Sequence, residues 1–526
     1  MEVWDIYAEA VDAFKAKNFD AALALLNEIQ RREPGYRKAY LLESYIWNKR
    51  KNLVREFDAL SRLMPLLNPV TPEIQDLAAH SLSLFATACR LLALPEESIK
   101  FSLLAAQMLS DNGDACLEIS NALLAASGAE NFSAADFRAL YAEYKKYLTD
   151  IEPLPRRFYA HKKIRIGFLS ADFFYHAVVE WSWALLTKLD EKFFDVYCYS
   201  SATKSDFVTK YLTRVVHWRN ISEQTDLQAA ELIRADEIDI LFDLSGHTGA
   251  NRLRVAEYRP AVVQISGVGY MNSTGLGCFD YFLSDKTCAA NAAAMREYFT
   301  EKIICLPSSH ICYEPSTSLE PAEPPCLSKG YVTFGSFNQY TKITDSILRA
   351  WKKILDAVPA SRLLLKTNIF DTADGKIFVG KRLKSFGIDA AQVEMRGFTE
   401  NHLAEYADVD IALDTFPYTG GVTTCEALYM GVPVVSLYGE RHGTRFGLSL
   451  LTNVGLEELA VDSYDEYFKR AVALASDWEL LKILRKNLRG MMKRSPLMDS
   501  ARYVRTMEEA FATVLKTSQE KFLRES

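Results

Sequence analysis

Apolar positions recur with two different periods along this chain, and the change from one to the other divides it. Over residues 1–155 they return every three to four positions, which predicts helices almost throughout. Phe19, Ala22, Leu26, Ile29 and Pro34 fall where a tetratricopeptide unit places an aromatic, a small residue, two apolar residues and a terminating proline. A weaker echo ends at Pro69, and further helices are predicted over 82–92, 97–109 and 134–148. Stacked helices of this kind, or a generic helical bundle, carry no reacting groups and read as a docking or packing module.

Beyond Pro153 and Pro155 the period shortens. Runs rich in β-branched and aromatic residues at 164–169, 194–199, 238–244 and 262–266 alternate with helical stretches. A proline-rich joint at 315–325 precedes a second alternating set at 332–334, 362–365, 393–396, 409–413 and 434–437. Alternation of this kind predicts parallel sheets with helices on both faces. The expected architecture is thus α/β: an all-helical domain over 1–155, then two doubly wound domains over 156–320 and 321–526. Ligands of such sheets bind beyond the carboxyl ends of the strands, so the cleft between the two domains is where chemistry is expected.

Composition narrows the class without naming it. The 526 residues are 49% apolar and 25% charged, and the net charge of −7 gives no general basic face for nucleic acid or an acidic membrane. No apolar run approaches the ~18 residues of a membrane span. The N-terminal residues lack a secretion signal's basic start and apolar core, so a cytoplasmic location is expected. Nine scattered cysteines, never paired as C-x-x-C, favour free thiols over a disulfide framework or a zinc site.

Two turns carry the candidate chemistry. In Ser336–Lys342 (SFNQYTK) and in 414–433 (DTFPYTGGVTTCEALYMGVP), a strand-like run breaks into a polar or glycine-bearing turn and then opens a helix. Helix N-termini present free N–H groups and partial positive charge, so the two turns read as halves of a clamp for a nucleotide diphosphate. Lys342 adds a full charge. Asp408 and Asp410 match the D-x-D pattern of metal-holding sites, but they precede a strand and read as its start; no metal is expected.

Several ordered landmarks resemble the catalytic part of the O-GlcNAc transferase family, whose members include bacterial cytoplasmic N-glycosyltransferases. They are Arg165–His176, Asp243–Thr248, Gly269 with Tyr270, Ser273–Gly275, Phe337–Lys342 and Asp414–Pro433. The resemblance implies a GT-B fold of two Rossmann-like lobes behind tetratricopeptide-like helices, the first lobe on the acceptor side and the second binding the nucleotide sugar. It implies an inverting, metal-independent enzyme with no cofactor, moving GlcNAc from UDP-GlcNAc to Ser or Thr of an acceptor protein such as a bacterial flagellin or adhesin. Transfer of glucose from UDP-glucose to asparagine uses the same clamp, and a scaffold that has lost activity is a third reading.

The same resemblance assigns residues. Lys342 would neutralise the departing diphosphate, with Gln339 beside it on the diphosphate or base. Gly420, Gly421, Val422, Thr423 and Thr424 would form the second phosphate loop. Glu426 stands where the family usually has an aspartate that accepts from the ribose, and His402 matches a histidine near the nucleobase, although Thr399 and Glu405 replace basic neighbours. His176 ends a strand and turn as the family's active-site histidine does, while His247 is placed on the acceptor side of the substrate site.

Overall fold

The computed structural model describes residues 2–315 and 317–525; Ser316, within the expected proline-rich joint, lies outside the described residues. Eight α-helices precede the first strand among the described residues: α1 (Val3–Lys15), α2 (Phe19–Arg32), α3 (Arg37–Lys49), α4 (Leu53–Leu63), α5 (Gln75–Leu91), α6 (Pro95–Met108), α7 (Asn112–Gly128) and α8 (Ala134–Lys145). They pack mostly against sequence neighbours. Ala22, Leu26 and Ile29 of α2 are buried at helical spacing, and Asn18 caps the same helix by accepting from the Ala21 amide.

Two all-parallel sheets follow. The first comprises β1 (Ile164–Ser170), β2 (Phe194–Ser200), β3 (His217–Asn220), β4 (Ile240–Asp243), β5 (Val263–Ser266), β6 (Tyr281–Asp285) and β7 (Lys302–Leu306), in spatial order β3-β2-β1-β4-β5-β6-β7. The second comprises β8 (Thr333–Ser336), β9 (Arg362–Lys366), β10 (Val393–Arg396), β11 (Ile411–Leu413), β12 (Val434–Leu437) and β13 (Ala460–Val461), in order β10-β9-β8-β11-β12-β13. Central strands such as β4, β5, β8 and β12 are buried at every position because helices cover both faces. Each sheet reverses its winding between its first and fourth strands, at β1/β4 and β8/β11. The crevice at that reversal is the ligand edge of a doubly wound sheet.

The final helix, Ser500–Glu525, corrects the expected division. Placed by sequence in the second lobe, it crosses back to the first, where the Phe511 ring packs against Phe194 and Phe242. Further ties join the lobes near the cleft. Ser449 Oγ donates to Asp285 at 2.8 Å, and His442 bonds Met271 O and Ser284 Oγ, both at 2.8 Å. Arg445 donates to the carbonyls of Thr287 and Gly439.

The helical array docks on both lobes. Tyr141 donates to the Ser273 carbonyl, Arg254 pairs with Asp150, and Arg441 of the second lobe donates to the Ala126 and Ala129 carbonyls at the end of α7. A cation at a helix C-terminus is favoured by the partial negative charge there. No helix among the described residues is long and apolar enough to cross a membrane.

Candidate active site

A cavity of about 420 Å³ opens between the lobes and is walled on a third side by the helical array. Its lining brings together His176, Gln339, Lys342, Gly421, Val422 and Thr423 from the carboxyl ends of the strands. A second recess of about 270 Å³ shares Val422 and Thr423 with it and is lined by Phe337, Phe398, His402 and Glu426. The two spaces thus meet at the start of the helix Val422–Tyr429.

Lys342 closes the short turn after β8. Its ammonium donates to the Thr419 carbonyl at 3.0 Å and lies 4.2 Å from the centre of the Tyr418 ring. Burial lowers its pKa to about 8, against the pull of the Asp414 carboxylate. Asp414, fully buried, shapes the facing loop. Its carboxylate accepts from the Gly420 and Thr415 amides at 2.6 and 2.8 Å and from Ser436 Oγ at 2.6 Å.

Gly420 and Gly421 are small because neighbours crowd them. A Cβ on Gly420 would stand 2.5 Å from Thr424 Oγ1, and one on Gly421 would stand 2.4 Å from Cη2 of Trp181 in the opposite lobe. The helix Val422–Tyr429 then begins with no side chain capping it, which leaves first-turn amides for a ligand. Thr423 Oγ1 donates to Asn338 Oδ1 at 3.1 Å, so both phosphate turns are stitched together.

At the nucleoside end, His402 Nε2 lies 2.8 Å from Glu426 Oε1, and this bond raises the histidine's pKa against the opposing effect of burial. The replacements at Thr399 and Glu405 now have a physical setting. Lys366, at the end of β9, donates to Thr399 Oγ1 and pairs with Glu405 at 2.6 Å, so the basic group reaches this recess from another strand. Glu180 approaches from the first lobe, and burial together with the charge of Glu426 pushes its pKa up to about 7.

His176 caps α9 (Ala177–Thr187), its Nδ1 accepting from the Val178 amide at 3.4 Å with Asp172 Oδ2 3.8 Å away. With Nδ1 capping the helix, a neutral ring carries its proton on Nε2 and donates. With Nδ1–H turned to Asp172, Nε2 accepts. Burial holds the Asp172 carboxyl above its usual range, and His176 draws it back.

His247 is not in the cleft, which corrects its assignment to the substrate site. It is fully buried between the first lobe and the array, Nδ1 2.9 Å from Ser120 Oγ and Nε2 2.8 Å from the Thr274 carbonyl, with the Tyr144 and Tyr270 rings edge-on. Burial lowers its pKa to about 4, so it is a neutral structural tie. Asp408 and Asp410 are likewise occupied. The first pairs with Lys329 and Arg396, and the second accepts from the Cys326 and Thr333 amides. Sequence reasoning missed Trp181, Lys366 and Arg90, which stand in none of its motifs, and gave no role to Asn338 and Tyr418, although they stand inside the two turns it singled out.

Two facing doubly wound lobes, with a cation and an uncapped helix at their shared edge, define a GT-B protein. The chain belongs to glycosyl transferase family 41, whose model matches residues 151–317 and 324–507. It is 38% identical over 387 residues to the tomato (Solanum lycopersicum) protein named "Probable UDP-N-acetylglucosamine--peptide N-acetylglucosaminyltransferase SPINDLY", an alignment covering 72% of this chain and 41% of that protein. With the Arabidopsis thaliana SEC protein of the same enzymatic name it shares 28% identity over 364 residues, covering 66% of this chain and 37% of that one. The chain therefore spans about two fifths of the length of these curated relatives. A mutant of the Thermobaculum terrenum O-GlcNAc transferase superposes with a TM-score of 0.84 at 26% identity, covering 99% of this chain and 98% of that one.

Proposed function

We propose that this protein is an inverting, metal-independent glycosyltransferase that moves N-acetylglucosamine from UDP-GlcNAc to serine or threonine hydroxyls of an acceptor protein. The observation that carries the reading is the half-buried Lys342 ammonium at the mouth of the uncapped helix Val422–Tyr429. An acceptor oxygen attacks the anomeric carbon from the face opposite the diphosphate. The bond from that carbon to the β-phosphate oxygen breaks as the new one forms, and the departing charge passes to Lys342 and the helix amides. His176, in the form whose Nε2 is free, takes the acceptor's proton. Gln339, Thr423, Thr424, His402 and Glu426 hold the donor, while the tetratricopeptide-like helices dock the polypeptide. A bacterial cytoplasmic setting, with a flagellin or adhesin modified before export, is the part of the proposal that rests on family resemblance alone.

The test is a donor panel of UDP-GlcNAc, UDP-glucose and GDP-linked sugars incubated with candidate acceptors, read by nucleotide release, intact mass and site mapping. Addition of N-acetylhexosamine to Ser or Thr from UDP-GlcNAc supports the proposal. Addition of hexose to asparagine, transfer from a GDP-sugar, or absence of nucleotide binding in the folded protein contradicts it.

A further inference from the structure

The cavity wall carries a second cation, and it comes from neither sheet. Arg90, in the last turn of α5, lines the same cavity as Lys342 and Thr423. The placement is built in. Helix α5 packs against the Tyr340–Lys342 turn, and a Cβ on Gly128, at the end of α7, would lie 3.7 Å from the Thr341 carbonyl oxygen. The array therefore abuts the turn that carries Lys342.

Other arginines that bridge the units all have partners. Arg441 holds the Ala126 and Ala129 carbonyls, Arg445 holds those of Thr287 and Gly439, and Arg254 pairs with Asp150 and Asp226. Arg90 is different: no carboxylate, carbonyl or hydroxyl accepts from its guanidinium among the described residues. The polar side chain that acts on it is Tyr418, whose ring lies beneath the Lys342 ammonium. Among the described residues lining the cavity, Asp172 is the only acidic one, and it stands beside His176 on the first lobe. A guanidinium partly withdrawn from water without an anion is unfavourable in the resting protein, and desolvation accordingly depresses its pKa. A doubly charged ligand in this cavity supplies the missing partner.

We infer that Arg90 is a donor-binding residue contributed by the helical array, gripping the diphosphate of the nucleotide sugar together with Lys342. The inference rests on the donor-site reading above and adds that the array is part of the small-molecule site as well as a platform for polypeptide. Arginine suits the task because its planar fork can donate two parallel hydrogen bonds to phosphate oxygens.

The experiment compares the full-length chain with Arg90→Met and Arg90→Lys by calorimetry, using UDP, GDP and the matching nucleosides without acceptor, together with thermal unfolding. Arg90→Met is expected to weaken the diphosphate by about ten-fold or more and leave nucleoside affinity unchanged, with Arg90→Lys in between. The ligand-free Arg90→Met protein is expected to melt no lower than wild type, since it loses a half-buried charge with no hydrogen-bond partner. Diphosphate affinity within about two-fold of wild type overturns the inference, as does equal loss of diphosphate and nucleoside binding accompanied by a lower melting temperature, which marks a structural role. A wild-type chain that binds neither diphosphate overturns the donor-site reading itself.

Discussion

Lys342 is a base whose folded pKa lies below its ordinary value of 10.5, at about 8, because the cavity desolvates it. Between those two values the unfolded chain holds the proton more firmly, so this residue's contribution to stability rises with pH across the interval. Ligand binding runs the other way: a diphosphate prefers the ammonium, so its affinity should fall as pH rises past about 8, and calorimetry across pH 7–9 checks this. The His402–Glu426 bond makes a second prediction. The His402 ring should titrate above an ordinary histidine and return towards it in Glu426→Gln, as read by NMR, with nucleoside affinity weakened in the same variant. Lys342 was legible in sequence because it ends a recognisable turn. His247 was misread because strand-end position does not reveal that helices α7 and α8 cover it. Arg90 was invisible, since a lone arginine at the end of an amphipathic helix ordinarily points to water.

At the scale of elements, most of the buried interior strands were legible as apolar runs. β6, interior and largely buried, was missed although Tyr281, Phe282 and Leu283 begin it, and the two edge strands missed in the first sheet have physical reasons. β3 is an edge strand of sequence HWRN whose end residues are exposed, so it carries no apolar run. β7, at the other edge, alternates buried and exposed positions weakly and begins with an exposed lysine. Helix α7 packs on several sides at once and buries Glu118 and Ser120 among its alanines, which erases a single apolar stripe. A tight approach between the lobes, Gly421 against Trp181, also lies beyond sequence reasoning because it depends on how the domains face each other. Gly421→Ala should force them apart and lower transfer. The same change made in a Trp181→Phe background should cost less, and a double-mutant cycle on turnover measures the difference.

For the whole molecule, buried neutral histidines hold the units together. Burial lowers His247 to about 4 and His442 to about 3, each below the ordinary 6.5. The unfolded chain therefore protonates first, and stability should fall as pH drops from about 6.5 towards 4. Urea unfolding at pH 7 and pH 5 checks the sign. His247→Leu should remove its share of that dependence at a cost of about 1–3 kcal/mol at pH 7, because Ser120 and the Thr274 carbonyl lose their partner. The account of the assembled molecule stands on one electrostatic claim: the ammonium and the helix amides between the lobes carry the charge of the leaving diphosphate. Its most direct test is single-turnover sugar transfer by Lys342→Met under saturating donor, beside wild type of matched melting behaviour. The account predicts a rate lower by about 10²–10³-fold; a rate within a few-fold of wild type contradicts it.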